Sequence, residues 1–196
     1  MNIIDLTKDC EQIELSPSNL ITNFDCGDQD LNGFFNRDAI LYQNERLGKT
    51  FFHRHKETGK IICAFSLSAD SVKTFLLTNN RRRKVKELLP REKSLQSYPA
   101  MLIGRLGVST EFVGQSVGTQ LMKIIKEFCF DKFKHYVRFL TVDAYNKPEV
   151  LNYYEKNDFK FLFLTEEDER QNLKKSINND EQLNSRQMFF DLKRYE

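Results

Sequence analysis

The sequence has no long apolar run and little net charge, and each absence excludes a class of protein. No apolar run approaches the ~20 residues that a membrane-spanning helix needs, so we expect no membrane segment. The opening stretch, MNIIDLTKDCEQIEL, contains acidic residues and no long apolar core, unlike a signal peptide. A net charge of +2 is too small to predict a nucleic-acid partner by itself.

The four cysteines are scattered and form no Cys-x-x-Cys pair. This usage favours a reducing, cytoplasmic location, although spacing alone leaves disulfides open. Cys63 and Cys129 lie in apolar runs and are expected to be small core residues. His53 and His55 alternate on a predicted strand, but no third ligand accompanies them, so we expect no metal site.

What the sequence does contain is the material for one globular domain. It has 196 residues, 40% of them hydrophobic and 30% charged, with 17 phenylalanines and no internal repeat. Periodicity and turn signals predict four helices, over 31–42, 79–89, 117–132 and 148–156. The same signals predict seven strands, over 13–15, 50–55, 60–69, 101–108, 138–142, 159–164 and 187–192. This order indicates a mixed sheet with helices on both faces.

Residues 165–186, TEEDERQNLKKSINNDEQLNSR, are polar and almost without apolar side chains. They separate the last two predicted strands. We expect an exposed and mobile excursion there.

A strand, a loop of small residues and a helix follow one another between residues 101 and 132. Gly114, Ser116 and Gly118 are closely spaced just before an amphipathic segment. The first turn of a helix has unsatisfied backbone N–H groups and the positive end of the dipole, and small residues let a diphosphate approach them. The segment therefore suggests a pyrophosphate ligand, although such a loop is also compatible with a plain turn. It has neither the Walker spacing nor the Gly-x-Gly-x-x-Gly spacing of dinucleotide folds.

The stretch RLGV, a short spacer, VGQSVG and TQLM resembles the central motif of the GNAT N-acetyltransferases. In that family a Gln/Arg-x-x-Gly-x-Gly/Ala loop binds the pyrophosphate of acetyl-CoA. The resemblance implies that the loop and the residue after it bind this co-substrate (Val113, Gly114, Gln115, Ser116, Val117, Gly118 and Thr119). It also implies that the backbone of Leu106, Gly107 and Val108 holds the pantetheine arm and polarises the acetyl carbonyl. Val113 and Ser116 depart from the pattern, and we expect Ser116 to fit if its φ is negative.

A second stretch, YNKPEVLNYYEKNDF at 145–159, resembles the last motif of the same family. The resemblance implies that Tyr154 is the general acid that protonates the leaving thiolate, and that Asn146 lies near the pantetheine or phosphate arm. Tyr153 is expected to be a packing residue, and the bare Tyr pair is equally compatible with packing at both positions. Asp158 replaces the usual Gly, which predicts a left-handed conformation there. No carboxylate or histidine is indicated as the general base.

The family resemblance implies an α+β fold with a central mixed, mostly antiparallel sheet of about seven strands and helices on both faces. It implies one acetyltransferase domain over 1–196 and transfer of an acetyl group from acetyl-CoA to a primary amine. Dimers are common in this fold. A housekeeping N-acetyltransferase of a small amine or protein stays open as an alternative, as does an inactive acyl-CoA-binding module.

The region FDCGDQDLNGFFNRDAILYQNERLGKTFFH, with LLPREKSLQSYPAMLIGRLGV, resembles the acetyltransferase toxins of toxin–antitoxin pairs. Those toxins acetylate the amino group of aminoacyl-tRNA, so the resemblance implies a tRNA substrate and an antitoxin partner. A basic run is a candidate tRNA contact, or equally a solvated helix face (Arg81, Arg82, Arg83 and Lys84).

Overall fold

The computed structural model describes residues 3–86, 95–173 and 182–195. Its seven strands form one sheet in the order β1-β2-β3-β4-β5-β7-β6. Strands β4 and β5 run parallel, whereas β1–β2, β2–β3, β5–β7 and β6–β7 are antiparallel pairs. This confirms the predicted α+β class and its mostly antiparallel sheet. The strands are β1 (Cys10–Glu14), β2 (Lys49–His55), β3 (Ile61–Lys73), β4 (Ser97–Val108), β5 (Phe139–Tyr145), β6 (Lys160–Phe161) and β7 (Ser185–Asp191).

Helices occupy the connections. They are α1 (Gln29–Gly33), α2 (Ala39–Asn44), α3 (Asn79–Lys86), α4 (Val117–Phe133), α5 (Pro148–Lys156) and α6 (Glu166–Asn172). A π-helical turn, Phe34–Asp38, joins α1 to α2, and short 3₁₀ turns cover Thr74–Leu76, Thr110–Phe112 and Leu192–Tyr195. Asp28 caps α1, because its Oδ1 accepts the Leu31 N–H at 3.0 Å. Within the described ranges, every helix is too short or too polar to cross a membrane.

The chain divides into two compact units, which we describe separately. The first unit comprises residues 1–69 and 103–128, and the second comprises 70–102 and 129–196. The single acetyltransferase domain expected from the sequence stays a prediction.

The core of the first unit is rich in phenylalanine. The β2–β3 hairpin turns at Gly59, whose φ is +70°. The π-helical turn buries two successive aromatic residues, Phe34 and Phe35, whose ring centroids lie 5.4 Å apart. The buried cluster contains Leu15, Ile21, Phe24, Phe34, Phe35, Ala39, Phe52 and Ala64.

The core of the second unit lies on one face of the β5–β7 pair. Thr141 pairs with Phe189, and Leu140 pairs with Phe190. Because strand side chains alternate between faces, Phe139, Thr141 and Phe189 share one face, while Leu140 and Phe190 share the other. The cluster on the first of these faces contains Val72, Leu77, Val85, Tyr98, Ala100, Phe139, Leu162, Phe163 and Phe189.

The polar segment predicted as an excursion begins with the ordered helix α6. Glu169 of α6 is fully buried, and its carboxylate accepts hydrogen bonds from Arg186 Nε at 2.7 Å and from the Gln187 N–H at 2.8 Å. This part of the segment is therefore attached to β7 rather than exposed. Residues 174–181 lie outside the described ranges, and the mobility expected for the segment stays a prediction.

Candidate functional site

The loop that follows β4 is anchored at its start by two backbone hydrogen bonds in the first unit. The Ser109 N–H donates to the Ile62 carbonyl, and the Thr110 N–H donates to the Asp25 carbonyl, each at 2.9 Å. The 3₁₀ turn Thr110–Phe112 then leads into the six predicted cofactor positions. The start of the loop is therefore held by hydrogen bonds to Ile62 of β3 and to Asp25.

Two residues of the loop have left-handed backbone. Gly114 has φ +83°, and a Cβ built on it would meet nothing within 4 Å. Ser116 has φ +59°. The condition under which we expected it to fit the loop, a negative φ, is therefore not met. An L-residue pays about 1–2 kcal/mol for this conformation, which glycine adopts freely. The serine therefore departs from the family pattern at a position whose backbone favours glycine.

Helix α4 begins directly after this loop. The Ser116 carbonyl accepts the Gln120 N–H at 3.1 Å, which starts the helical ladder. Val117 is buried, and the first turn, which includes Gly118 and Thr119, contains no acidic residue. A 17-residue helix therefore points its N-terminal N–H groups and the positive end of its dipole at the loop, with no carboxylate to repel an anion.

The side chains of the loop add little to anion binding. Val113 is 67% exposed and has no polar group where the family pattern has Gln or Arg. Gln115 is half-buried, and Gly114 and Ser116 are exposed. Phosphate binding here would therefore depend on the main chain.

Gly107 of β4 lies close to residues 24–27, whose sequence is Phe-Asp-Cys-Gly. A Cβ on Gly107 would lie 3.1 Å from Cys26 Sγ and 3.2 Å from Phe24 Cε1. Two amides hold that segment: Asn32 Oδ1 accepts the Cys26 N–H at 2.8 Å, and Asn36 Oδ1 accepts the Phe24 N–H at 2.9 Å. Neither asparagine was singled out from the sequence, where their spacing of four residues is the only signal of a shared helix face.

The backbone of Leu106, Gly107 and Val108 lies beyond the parallel register of β4 with β5. That register pairs Ala100–Leu102 with Phe139–Thr141, whereas β4 continues to Val108. The expected role of these three residues in holding the pantetheine arm stays a prediction.

Tyr154 lies on α5 in the second unit and is buried. Its ring contacts Tyr153 at 5.1 Å and Phe159 at 5.4 Å between centroids. Burial raises the pKa of its phenol well above the ordinary range, so the group is protonated at neutral pH and is able to donate a proton or hydrogen bond. Asp158 ends the helix at φ +62°, the left-handed conformation predicted for it.

Asn146 follows β5 and contacts the segment around α6. Its Nδ2 donates to the Leu183 carbonyl at 2.8 Å and to Glu166 Oε2 at 3.1 Å. The same Glu166 carboxylate accepts the Leu183 N–H, and these bonds lower the Glu166 pKa against its partial desolvation. The side-chain amide of Asn146 thus links the end of β5 to Glu166 of α6 and to Leu183. Contact of Asn146 with the cofactor arm stays a prediction.

Half of the basic run on α3 is used inside the second unit. Arg81 donates to the Phe161 and Leu162 carbonyls and stacks over Phe189, and desolvation lowers its pKa. Arg82 donates to the Thr74, Phe75 and Leu77 carbonyls, which precede α3, whereas Arg83 and Lys84 are exposed. The exposed part of the run is therefore its second pair.

The described part of the chain contains no cluster of three His, Cys, Asp or Glu side chains that could hold a metal ion. His53 is buried, and its Nδ1 has no hydrogen-bond partner among the described residues. All four cysteines are free.

Comparison with known proteins identifies the family. Residues 24–159 match the acetyltransferase (GNAT) family, so the chain belongs to it. It is therefore an N-acetyltransferase with acetyl-CoA as co-substrate. No curated protein matches the chain.

Solved structures show the same fold at low identity. A structure of AtaT complexed with acetyl-methionyl-tRNAfMet is 16% identical, with a TM-score of 0.69 over 95% of this chain and 97% of that one. A tyrosine-to-phenylalanine mutant of KacT gives the same values. The KacTA–DNA complex is 18% identical, with a TM-score of 0.65 and 94% of each chain covered.

Proposed function

We propose that this acetyltransferase transfers the acetyl group of acetyl-CoA to the α-amino group of an aminoacyl-tRNA, and that it acts as a cytoplasmic toxin neutralised by an antitoxin. The observation that carries the proposal is that the fold of AtaT, whose structure holds acetyl-methionyl-tRNAfMet, extends over 95% of this chain. The sequence of residues 24–27, Phe-Asp-Cys-Gly, adds a resemblance in sequence to such toxins.

The residues have distinct roles in this reaction. The N–H groups at the start of α4 bind the pyrophosphate, while the backbone of Leu106–Val108 holds the pantetheine and polarises the thioester carbonyl. Attack by the amine forms the C–N bond and breaks the C–S bond. The phenol of Tyr154, which is protonated at neutral pH, gives its proton to the departing thiolate.

Binding of tRNA would use the exposed part of α3. Arg83 and Lys84 are the candidates, because both side chains are exposed on α3. Lys84→Ala should weaken tRNA binding and reduce its salt dependence, without changing acetyl-CoA affinity.

The decisive test is acetylation of a charged tRNA pool by the full-length protein, followed by mass spectrometry of the released amino acids. Tyr154→Phe should lower the rate by about 10²-fold or more with acetyl-CoA affinity unchanged. Tyr153→Phe, on the same helix, is the matched control and should retain activity.

Growth arrest on induced expression, relieved by Tyr154→Phe, would support the toxin role. Acetylation of small amines or proteins but not of charged tRNA would contradict the tRNA proposal. Calorimetric binding of acetyl-CoA without turnover on any amine would instead support a binding module, and Gly118→Trp should abolish that binding.

A further inference from the structure

A cavity of about 110 Å³ lies within the second unit, beside the point where β4 and β5 stop pairing. Leu102 and Thr141, the last paired residues of the two strands, both line it. Cavities of ~150 Å³ admit benzene, so this one has room for a small organic group. Much of its wall is apolar (Val72, Leu76, Leu162, Phe163, Leu173 and Met188).

One side of the cavity is polar and contains an oriented carboxylate. Thr141 is buried, and its hydroxyl donates to Asp70 Oδ2. A carboxylate has about four lone-pair sites, so the bond from Thr141 fixes Asp70 while leaving acceptor capacity. Asp70 is exposed, unlike Thr141, and is reachable by a ligand from solvent.

The charges of the lining favour a cation. Two carboxylates, Asp70 and Asp143, face one ammonium, that of Lys73. The carboxylates suit a cationic group, and the apolar wall suits an apolar one. The cavity therefore fits a primary ammonium attached to a short apolar substituent.

Thr141, on the polar side of the cavity, and Tyr154 lie on opposite faces of the β5–β7 pair. Thr141 belongs to the face opposite Phe190, whose ring contacts Phe159 at 5.7 Å between centroids. Phe159 in turn contacts Tyr154. An acceptor held by Asp70, the partner of Thr141, would therefore approach from the face opposite the phenol.

We propose that this cavity is the acceptor subsite of the acetyl transfer proposed above, on which the inference rests, and that Asp70 binds the ammonium group of the acceptor. Thr141 positions Asp70, and the apolar wall receives the substituent next to the nitrogen. Of the two protons that the ammonium loses as the amide forms, one ends on the thiol of CoA through Tyr154, and the other passes to solvent. The subsite thus selects small primary amines with an apolar neighbour.

The test measures binding and acetylation of L-leucinamide, a primary amine with a small apolar side chain, by saturation-transfer NMR and by steady-state kinetics. Asp70→Asn should raise its KM and Kd by about tenfold or more, because the carboxylate charge that strengthens the hydrogen bond to the ammonium is lost. Asp131→Asn, which changes the net charge equally at an exposed position of α4, is the matched control and should change neither. Thr141→Val should give a smaller rise, and L-tryptophanamide should bind at least tenfold more weakly than leucinamide.

The outcomes separate this inference from the function it rests on. Failure of the wild type to bind acetyl-CoA by calorimetry would overturn the acetyl transfer, while leucinamide binding would still report on the cavity. Acetylation of charged tRNA by Asp70→Asn at the rate of Asp131→Asn, or absence of leucinamide binding to the wild type, would overturn the acceptor subsite alone. Unchanged acetyl-CoA affinity in Asp70→Asn completes the expected result.

Discussion

A buried histidine of the first unit and a buried glutamate of the second are accommodated in opposite ways. In the first unit His53 is 2% exposed and stays neutral, because desolvation lowers its pKa to about 4. In the second unit Glu169 is fully buried and accepts hydrogen bonds from Arg186 and Gln187. The histidine is therefore buried without charge, whereas the glutamate is buried with partners that balance its charge.

A second contrast concerns two non-glycine residues with nearly the same backbone. Ser116 of the first unit has φ +59°, and Asp158 of the second has φ +62°. Ser116 borders the N-terminus of α4, where a ligand would approach, while Asp158 ends α5, behind Tyr154. The same strain should therefore affect ligand affinity in one unit and stability alone in the other.

Breaking the buried ion pair is expected to have the largest effect. Glu169→Ala leaves Arg186 without its carboxylate and should cost about 3–5 kcal/mol in the free energy of unfolding. Urea denaturation followed by circular dichroism measures this loss. Glu167→Ala, which removes an exposed ion pair with Arg170 on the same helix, should cost less than about 1 kcal/mol. Equal losses in the two variants would contradict the distinction between the buried and the exposed ion pair.

Acidification should act through His53 in the first unit. The folded pKa of about 4 lies below the ordinary 6.5, so its contribution is complete above pH 6.5 and is lost as the pH falls toward 4. From the linkage relation, the free energy of unfolding should drop by about 2 kcal/mol between pH 7 and pH 5. Urea midpoints at the two pH values check this, and the drop should vanish in His53→Leu. A drop of the same size in that variant would rule out His53 as its source.

Relief of strain at Asp158 should have a small effect on stability. Asp158→Gly removes the left-handed penalty but adds unfolded-state entropy, for a net gain of about 0.5 kcal/mol. Asp158→Ala should lose stability, because alanine has no polar side chain that favours this conformation. Thermal unfolding measures both, and acetyl-CoA affinity should be the same in each.

Ser116→Gly should give the smallest change, and the change should be in the affinity for acetyl-CoA. This variant sharpens the comparison between Ser116 and Asp158. The variant relieves the same strain and also lets a phosphate approach the first N–H groups of α4 more closely, so acetyl-CoA should bind about twofold more tightly. Calorimetric titration measures the affinity. A change in stability without any change in affinity would show that the loop behaves like the end of α5.

Local patterns in the sequence predicted the elements that local physics controls. The helix predicted over 117–132 is α4, Val117–Phe133, and Asp158 has the left-handed backbone predicted for it. The predicted ends of the elements were less accurate. β6 has only two residues, where a strand over 159–164 was expected. Turn chemistry and helical periodicity depend on neighbours within a few residues, which is why they were visible without the fold.

The roles of several charged residues were not visible in this way. Polarity alone predicted exposure for Glu169 and for Arg81. The partners of these side chains lie 17 and 81 residues away in the chain, at Arg186 and Leu162. A residue-by-residue pattern contains no information on such distant contacts, because they form only when the strands pair.

The sequence by itself determined the family, the order of the strands and of the helices other than α6, and a loop of small residues before α4, since these follow from local composition and spacing. Only the tertiary structure decided that Ser116 adopts a left-handed backbone, that Arg81 and Glu169 are used internally, and that Asp70 meets Thr141 at a cavity. The physical reason is desolvation. Whether a polar group stays in water or must find a partner depends on which distant elements cover it, and the chain settles that only when it folds.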